Sequence, residues 1–163
     1  TYPLPEAQVD RFFLKLRVPY PARREELDIV DRMATSDPPV EVSKVLAPAE
    51  LLAYRRVADR VYVDPRAKDY VLDIVRLTRE PCPELELGRL IEWGASPRAS
   101  IYMVMAARAR ALMDGRTFVI PDDVKAVAPD VLRHRIILTF EAEAEGVRAD
   151  RIIERVLAYV KVP

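Results

Sequence analysis

Two arginines stand where a guanidinium could do chemistry. The first is Arg98, in the stretch "WGASPRAS" that runs from Trp93 to Ser100. Ser96 and Pro97 read as the N-cap and first residue of a helix, because a proline needs no N–H donor there and its φ is already helical. Arg98 then falls in the first turn, where free N–H groups and the helix dipole favour an anion and disfavour a cation. A guanidinium at that place makes sense when an anion completes the site, and its fork of donors matches phosphate oxygens better than a lysine's point charge. The competing explanation is an ion pair with Glu92 or another carboxylate. The second is Arg11, in "VDRFF", at the end of a short helix. A cation is favourable at a helix C-terminus on its own account. The functional alternative is an arginine held at a subunit edge to reach a neighbour's nucleotide.

Other residues that carry chemistry are sparse. Gly88, Gly94, Gly115 and Gly146 are the only glycines and form neither a GxxxxGK(S/T) phosphate loop nor a GxGxxG turn; HExxH, CxxC and GxSxG are also missing. Asp122 and Asp123 sit just inside a helix start, where dipole complementation accounts for them, and no further ligands are grouped beside them for a metal. Cys82 is the only cysteine and lies between prolines in "EPCPELE", a loop composition. An intrachain disulfide is therefore impossible, and a thiol-keeping cytoplasm is the expected home. His134, the only histidine, is far from Cys82 in sequence, which argues against an activated thiol. Taken alone, the chain has no self-contained catalytic set.

The elements that must position the two arginines are mostly helical. Half of the 163 residues are apolar and 32% are charged, the composition of a globular domain. No apolar run reaches the ~20 residues of a membrane span. Pro5 opens a short helix that leads to Arg11. Phe13 to Val18 then alternates apolar and basic residues with a period of two and reads as a strand. That strand has no partner of its own, so its place is in a sheet made by residues outside this chain, or against a second copy. Leu27, Val30 and Met33 mark the next helix. Val40 to Ala47 reads as a connector, and Pro48 opens a helix with Leu51, Leu52, Tyr54 and Ala58 as inward positions. Asp64-Pro65 starts another, with Ala67, Tyr70, Val71, Ile74 and Leu77 at helical spacing. The helix after Ser96 is the longest. Ile101, Val104, Met105 and Leu112 are its expected inward positions, and Gly115 its stop. A helix from Pro121 breaks or restarts at Pro129, and a last helix repeats Ile152, Ile153, Val156, Leu157 and Val160.

Charge weighs against nucleic acid. The 26 basic residues are matched by 26 acidic ones, so the basic surplus of a generic nucleic-acid binder is missing. Lys125, Arg133, His134 and Arg135 could still line a DNA-binding face, but Asp122, Asp123 and Asp130 sit among them. The chain opens at "TYPLPEAQVDRFF" with no leader-like segment and looks like a piece of something longer.

Three stretches carry a family resemblance: "TYPLPEAQVDRF", "GASPRAS" and "DGRTFVIPDDVKAVAPDVLRHRI". With them the chain resembles, nearly end to end, the MoxR-type AAA+ ATPases. The resemblance implies a mainly α fold, in which residues 1–18 are the last helix and strand of an α/β ATPase core and residues 19–163 are the helical lid. By motif position Arg11 would be the arginine finger that acts in a neighbouring subunit's site, and Arg98 the lid's second sensor, placed to touch ATP phosphates. The family further implies ATP and Mg in the parent protein, a ring of copies (a hexamer is expected), chaperone-like maturation of partner complexes and a von Willebrand factor A domain partner. No membrane or nucleic acid is implied. Lacking the phosphate loop and the acidic metal-binding strand, the piece alone is expected neither to hydrolyse ATP nor to bind it tightly. A helical protein-interaction module with structural arginines is the alternative.

Overall fold

Four of the helices begin on a proline: Pro48, Pro65, Pro97 and Pro121 each occupy the first turn, where the missing N–H costs nothing. The computed structural model describes residues 4–39 and 41–163. Thr1, Tyr2 and Pro3, which open the first resemblance stretch and the expected 1–18 segment, lie outside the described residues, as does Val40 at the head of the expected connector. Along the chain come α1 (Glu6–Val9), α2 (Arg23–Met33), α3 (Pro48–Asp59), α4 (Pro65–Leu77), a 3-10 turn at Pro83–Leu85, β1 (Ile91–Trp93), α5 (Pro97–Met113), α6 (Pro121–Leu132), β2 (Ile137–Leu138), α7 (Phe140–Ala144) and α8 (Ala149–Tyr159). The fold is mainly α, as expected. Among the described helices none is long and apolar enough to cross a membrane.

The core lies between α4, α5, α6 and α8. Tyr70, Ile74 and Val75 from α4 meet Met103 from α5, Val131 and Leu132 from α6, and Ile152, Ile153 and Val156 from α8, all buried. Local chemistry ends the helices where the sequence indicates. Gly115 (φ +72°) follows the α5 C-cap; its N–H reaches Leu112 O at 2.9 Å while that of Arg116 reaches Ala111 O at 2.8 Å. Those two bonds make a Schellman motif, which needs the left-handed residue a glycine supplies. At the start of α6, Asp123 is buried and accepts from Ile120 N–H (2.9 Å) and from both terminal nitrogens of Arg116 (2.6 and 2.7 Å). Burial pushes its carboxyl up, but the Arg116 and Ile120 hydrogen bonds outweigh that and hold it below the usual range. Its oxygens are thus engaged internally.

Three sequence expectations are corrected. Phe13–Val18 forms no strand; Phe13 lies in a bend and residues 14–18 have no regular structure, and the antiparallel pair is β1 with β2, Ile91 opposite Leu138 and Trp93 opposite Ile137. Backbone groups of that segment are met by the end of α6 instead: Lys15 N–H donates to Asp130 O (2.9 Å), and Arg133 Nη1 donates to Lys15 O (2.5 Å). A backbone carbonyl and an arginine side chain at one helix end do for it what a neighbouring strand would do. Secondly, α5 turns a different face inward. Ala99, Met103, Ala106, Ala107 and Ala111 are buried and the expected Val104 and Leu112 pack half-buried against the core, whereas Ile101 is 58% and Met105 42% exposed. Small alanines let α4 and α6 approach closely, so the largest apolar residues do not mark the packed side. Thirdly, α6 runs through Pro129 to Leu132 without restarting. In α2 and α3 no residue is buried, and Leu27, Val30, Leu51, Leu52 and Tyr54 stay exposed.

Candidate functional site at the start of α5

The β1–β2 pair brings two distant stretches side by side: the approach to α5 after Trp93, and the exit from α6 before Ile137. The approach is pinned to the end of α4. Ala95 N–H donates to Thr78 Oγ1 (3.0 Å) and Arg79 Nε donates to Ala95 O (2.5 Å). Ser96 then caps α5, accepting from the Arg98 N–H at 3.3 Å. The expected N-cap, first-turn proline and arginine are all in place.

What faces them is a carboxylate. Ser96 Oγ donates to Asp10, 3.0 Å from each oxygen, and Arg98 Nη1 donates to Asp10 Oδ2 at 2.5 Å. Within this chain the anion that completes the start of α5 is therefore Asp10, the residue before Arg11. The ion-pair explanation named Glu92 or another carboxylate, and Asp10 is that other carboxylate. The Arg98 side chain remains 42% exposed, and only its Nη1 is engaged among the described residues. Burial raises the Asp10 pKa, but hydrogen bonds from Ser96 and Arg98 and the charge of Arg135 outweigh it and leave the carboxyl below its usual range.

The exit from α6 supplies a second guanidinium, and this one is fully enclosed. Arg135 donates through Nε to Asp10 Oδ1 (3.0 Å) and through Nη2 to Asp10 O (2.9 Å) and Phe12 O (2.5 Å). Its Nη1 donates to Val131 O and, at 3.4 Å, to Phe13 O. The group lies 5.0 Å from the centre of the Tyr102 ring, which packs edge-on against Phe13. Tyr102 Oη donates to Arg11 O (3.4 Å), and His134 Nε2 sits 3.0 Å from Phe12 O. Every carbonyl from Asp10 to Phe13 is thus met by a side chain from α5 or from the end of α6. The Arg11 side chain itself is exposed and makes no ion pair among the described residues. Burial pulls the His134 pKa down, helped by Arg135 and Lys15 and opposed by the Phe12 carbonyl.

A family model described as an AAA lid domain matches residues 87–156. The chain is 43% identical to Chaperone MoxR1 of Mycobacterium tuberculosis, over 99% of this chain and 43% of that protein. It is 42% identical to the uncharacterized protein YeaC of Bacillus subtilis, over 100% of this chain and 49% of that one. Protein MoxR of Paracoccus denitrificans is 32% identical. The crystal structure of a Cytophaga hutchinsonii protein described as a candidate ATPase superposes with a TM-score of 0.91 at 38% identity, covering 99% of this chain and 50% of the other. The chain matches the MoxR-type AAA+ proteins over nearly its whole length, with the AAA lid at residues 87–156. It spans about half the length of the curated relatives it matches.

The lid match begins at Leu87, so Arg98, Tyr102, His134 and Arg135 of this MoxR-type chain fall inside it, while Asp10 and Arg11 fall outside. The Asp10–Arg98 pair therefore ties the lid region to a segment beyond it. Of the two arginines read from sequence, Arg98 enters this cluster by its side chain and Arg11 by its backbone. Asp10, Tyr102 and Arg135 were missed as site residues. Asp10 had one available signal, its position inside the first of the three stretches that carry the resemblance, beside Arg11. The DNA-binding face dissolves: Arg135 and His134 are buried, Arg133 is paired with Asp130 (2.8 Å) and Asp150 (2.7 Å), and Lys125 lies 3.6 Å from Asp122.

Proposed function

We propose that this MoxR-type chain is the lid and sensor portion of an ATP-hydrolysing ring protein, with residues 1–18 the tail of the ATPase core and 19–163 the lid. Arg98 contacts the phosphates of bound ATP, and Arg11 reaches the nucleotide of an adjacent subunit. The observation that carries this reading is the Arg98 guanidinium: first turn of a 17-residue helix, nearly half exposed, with one nitrogen on Asp10. The remaining donors of its fork suit phosphate oxygens. ATP would supply the phosphoryl group. Among the described residues no group of three or more acidic, histidine or cysteine side chains is placed to hold a metal, so this chain's part is cationic and the Mg ligands belong to the core. Negative charge grows on the γ-phosphate oxygens during transfer, and fixed guanidinium groups stabilise it without reorganising. A sensor that holds ATP better than ADP would also bias the lid between two positions, since a ligand shifts an equilibrium only by differential contacts.

Similarity to a protein named as a chaperone supports chaperone-like maturation of partner complexes as the task of the whole protein. A von Willebrand factor A domain is the partner class proposed, and a hexameric ring in the cytoplasm the working assembly. The test is turnover by the full-length ring. Arg11→Ala should lower it about a thousandfold, and Arg98→Ala about a hundredfold. In mixed rings only the Arg11 variant should be rescued by neighbours with an intact arginine. The Asp10–Arg98 pair favours a second reading, a protein-interaction module with structural arginines. Unchanged turnover in both variants would select it.

A further inference from the structure

The segment that carries Arg11 has little structure of its own. Helix α1 is a single turn, Glu6–Val9, with no buried residue, and the chain beyond it passes through a turn and a bend into residues 14–20, which have no regular structure. Yet it is held along its backbone. Arg135 takes the carbonyls of Asp10, Phe12 and Phe13, and Tyr102 takes that of Arg11. Arg135 also binds the Asp10 carboxylate, and its own side chain is fully enclosed. A buried guanidinium is costly unless its donors are met. Here all three of its nitrogens are, four of the five contacts to Asp10, Phe12 and Phe13 and the fifth to Val131. A planar fork fixed in this way dictates the path of the backbone on either side of Arg11. A flexible ammonium could satisfy the charge of Asp10 but not that set of carbonyls.

We propose that Arg135 is the positioning residue for Arg11: a lid-borne guanidinium that sets the backbone from which the trans-acting arginine projects. The proposal rests on reading Arg11 as acting in a neighbouring subunit. Reaction rates respond steeply to such placement, since an error of about 1 Å can cost on the order of a hundredfold.

Mixed rings of the full-length protein test this. One subunit type keeps a working ATP site but carries Arg11→Ala. The other has its ATP site disabled in the core and keeps Arg11, so turnover depends on its finger reaching across. Arg135→Lys in the finger-donating subunit should lower turnover about tenfold to a hundredfold, several-fold more than the same change in the ATP-bearing subunit, where Arg135 acts only through the carboxylate it shares with Arg98. Tyr102→Phe, which removes only the hydroxyl on Arg11 O, should show the same asymmetry more weakly and guards against misfolding of the lysine variant. In nucleotide-free protein, amide exchange over residues 8–16 should quicken about tenfold in Arg135→Lys, with the α8 peptide unchanged. Equal loss from either subunit, or unchanged exchange over 8–16, would overturn the positioning role while leaving the finger standing. Full turnover by rings made only of Arg11→Ala subunits would remove the finger reading, and this proposal with it.

Discussion

Arg98 Nη1 donates to Asp10 Oδ2 across 88 residues of sequence, at 2.5 Å. The same carboxylate takes Arg135 Nε at 3.0 Å. One anion therefore serves two guanidinium groups in very different surroundings, 42% exposed for Arg98 and fully enclosed for Arg135. The enclosed pair should dominate the energetics. Removing Asp10 by substitution with alanine leaves Arg135 buried without its counter-charge, a loss of about 3 kcal/mol. Arg98→Ala removes a solvent-screened pair and should cost less than about 1 kcal/mol. Urea denaturation of the two variants checks the order. Equal losses would mean that Arg135 is satisfied by backbone carbonyls alone.

His134 gives the stability a pH dependence in a window that no carboxylate shares. It is the only histidine, it is buried, and its Nε2 lies 3.0 Å from Phe12 O, where the neutral ring can donate. Its Nδ1 has no partner among the described residues. Burial lowers its pKa from 6.5, so the unfolded chain takes up a proton first as pH falls. Stability from the neutral ring is complete above about pH 6.5 and declines below it, by at most about 1.4 kcal/mol per pH unit. His134→Gln, which keeps a donor for Phe12 O, should flatten the unfolding midpoint between pH 7 and pH 5. Asp10 and Asp123 have lowered pKa values, so their contributions persist through that window and fade only below the ordinary carboxylate range.

Helix starts were legible because they are local. Ser96-Pro97 and Asp64-Pro65 encode an acceptor for the second N–H and a residue that needs none, and both caps form as read, Asp64 accepting from Arg66 N–H at 2.9 Å. The inward face of α5 was not legible, because burial there belongs to alanines whose value appears only when another helix approaches. The segment after Arg11 was misread as a strand. A period of two reports an extended backbone with two unlike sides; it does not say whether a strand or a row of arginine donors meets the carbonyls. Arg135 was illegible for a related reason. In "VLRHRII" it sits among basic residues of a formally neutral chain, and only the tertiary fold distinguishes the enclosed one from its neighbours.

Gly94 links the site to the core through a contact no side chain can share. A Cβ built there would lie 2.2 Å from Thr78 O and 2.7 Å from Arg79 Cα, both backbone atoms at the end of α4. Neither can rotate away, so Gly94→Ala must push the β1–α5 approach off α4 at a cost of about 3 kcal/mol. Gly88→Ala is the control: a Cβ there would meet only Pro81 Cγ, at 4.0 Å, so it should change stability by no more than about 0.5 kcal/mol. The displacement has a second consequence. Ala95 and Ser96 follow directly, and their bonds to Thr78 Oγ1 and Asp10 set the entry of α5 and hence the place of Arg98. Gly94→Ala in the full-length ring should therefore lower turnover at temperatures where the protein remains folded, by circular dichroism, and Gly88→Ala should not. Turnover equal to the parent in the folded Gly94 variant would mean that the position of Arg98 tolerates the shift.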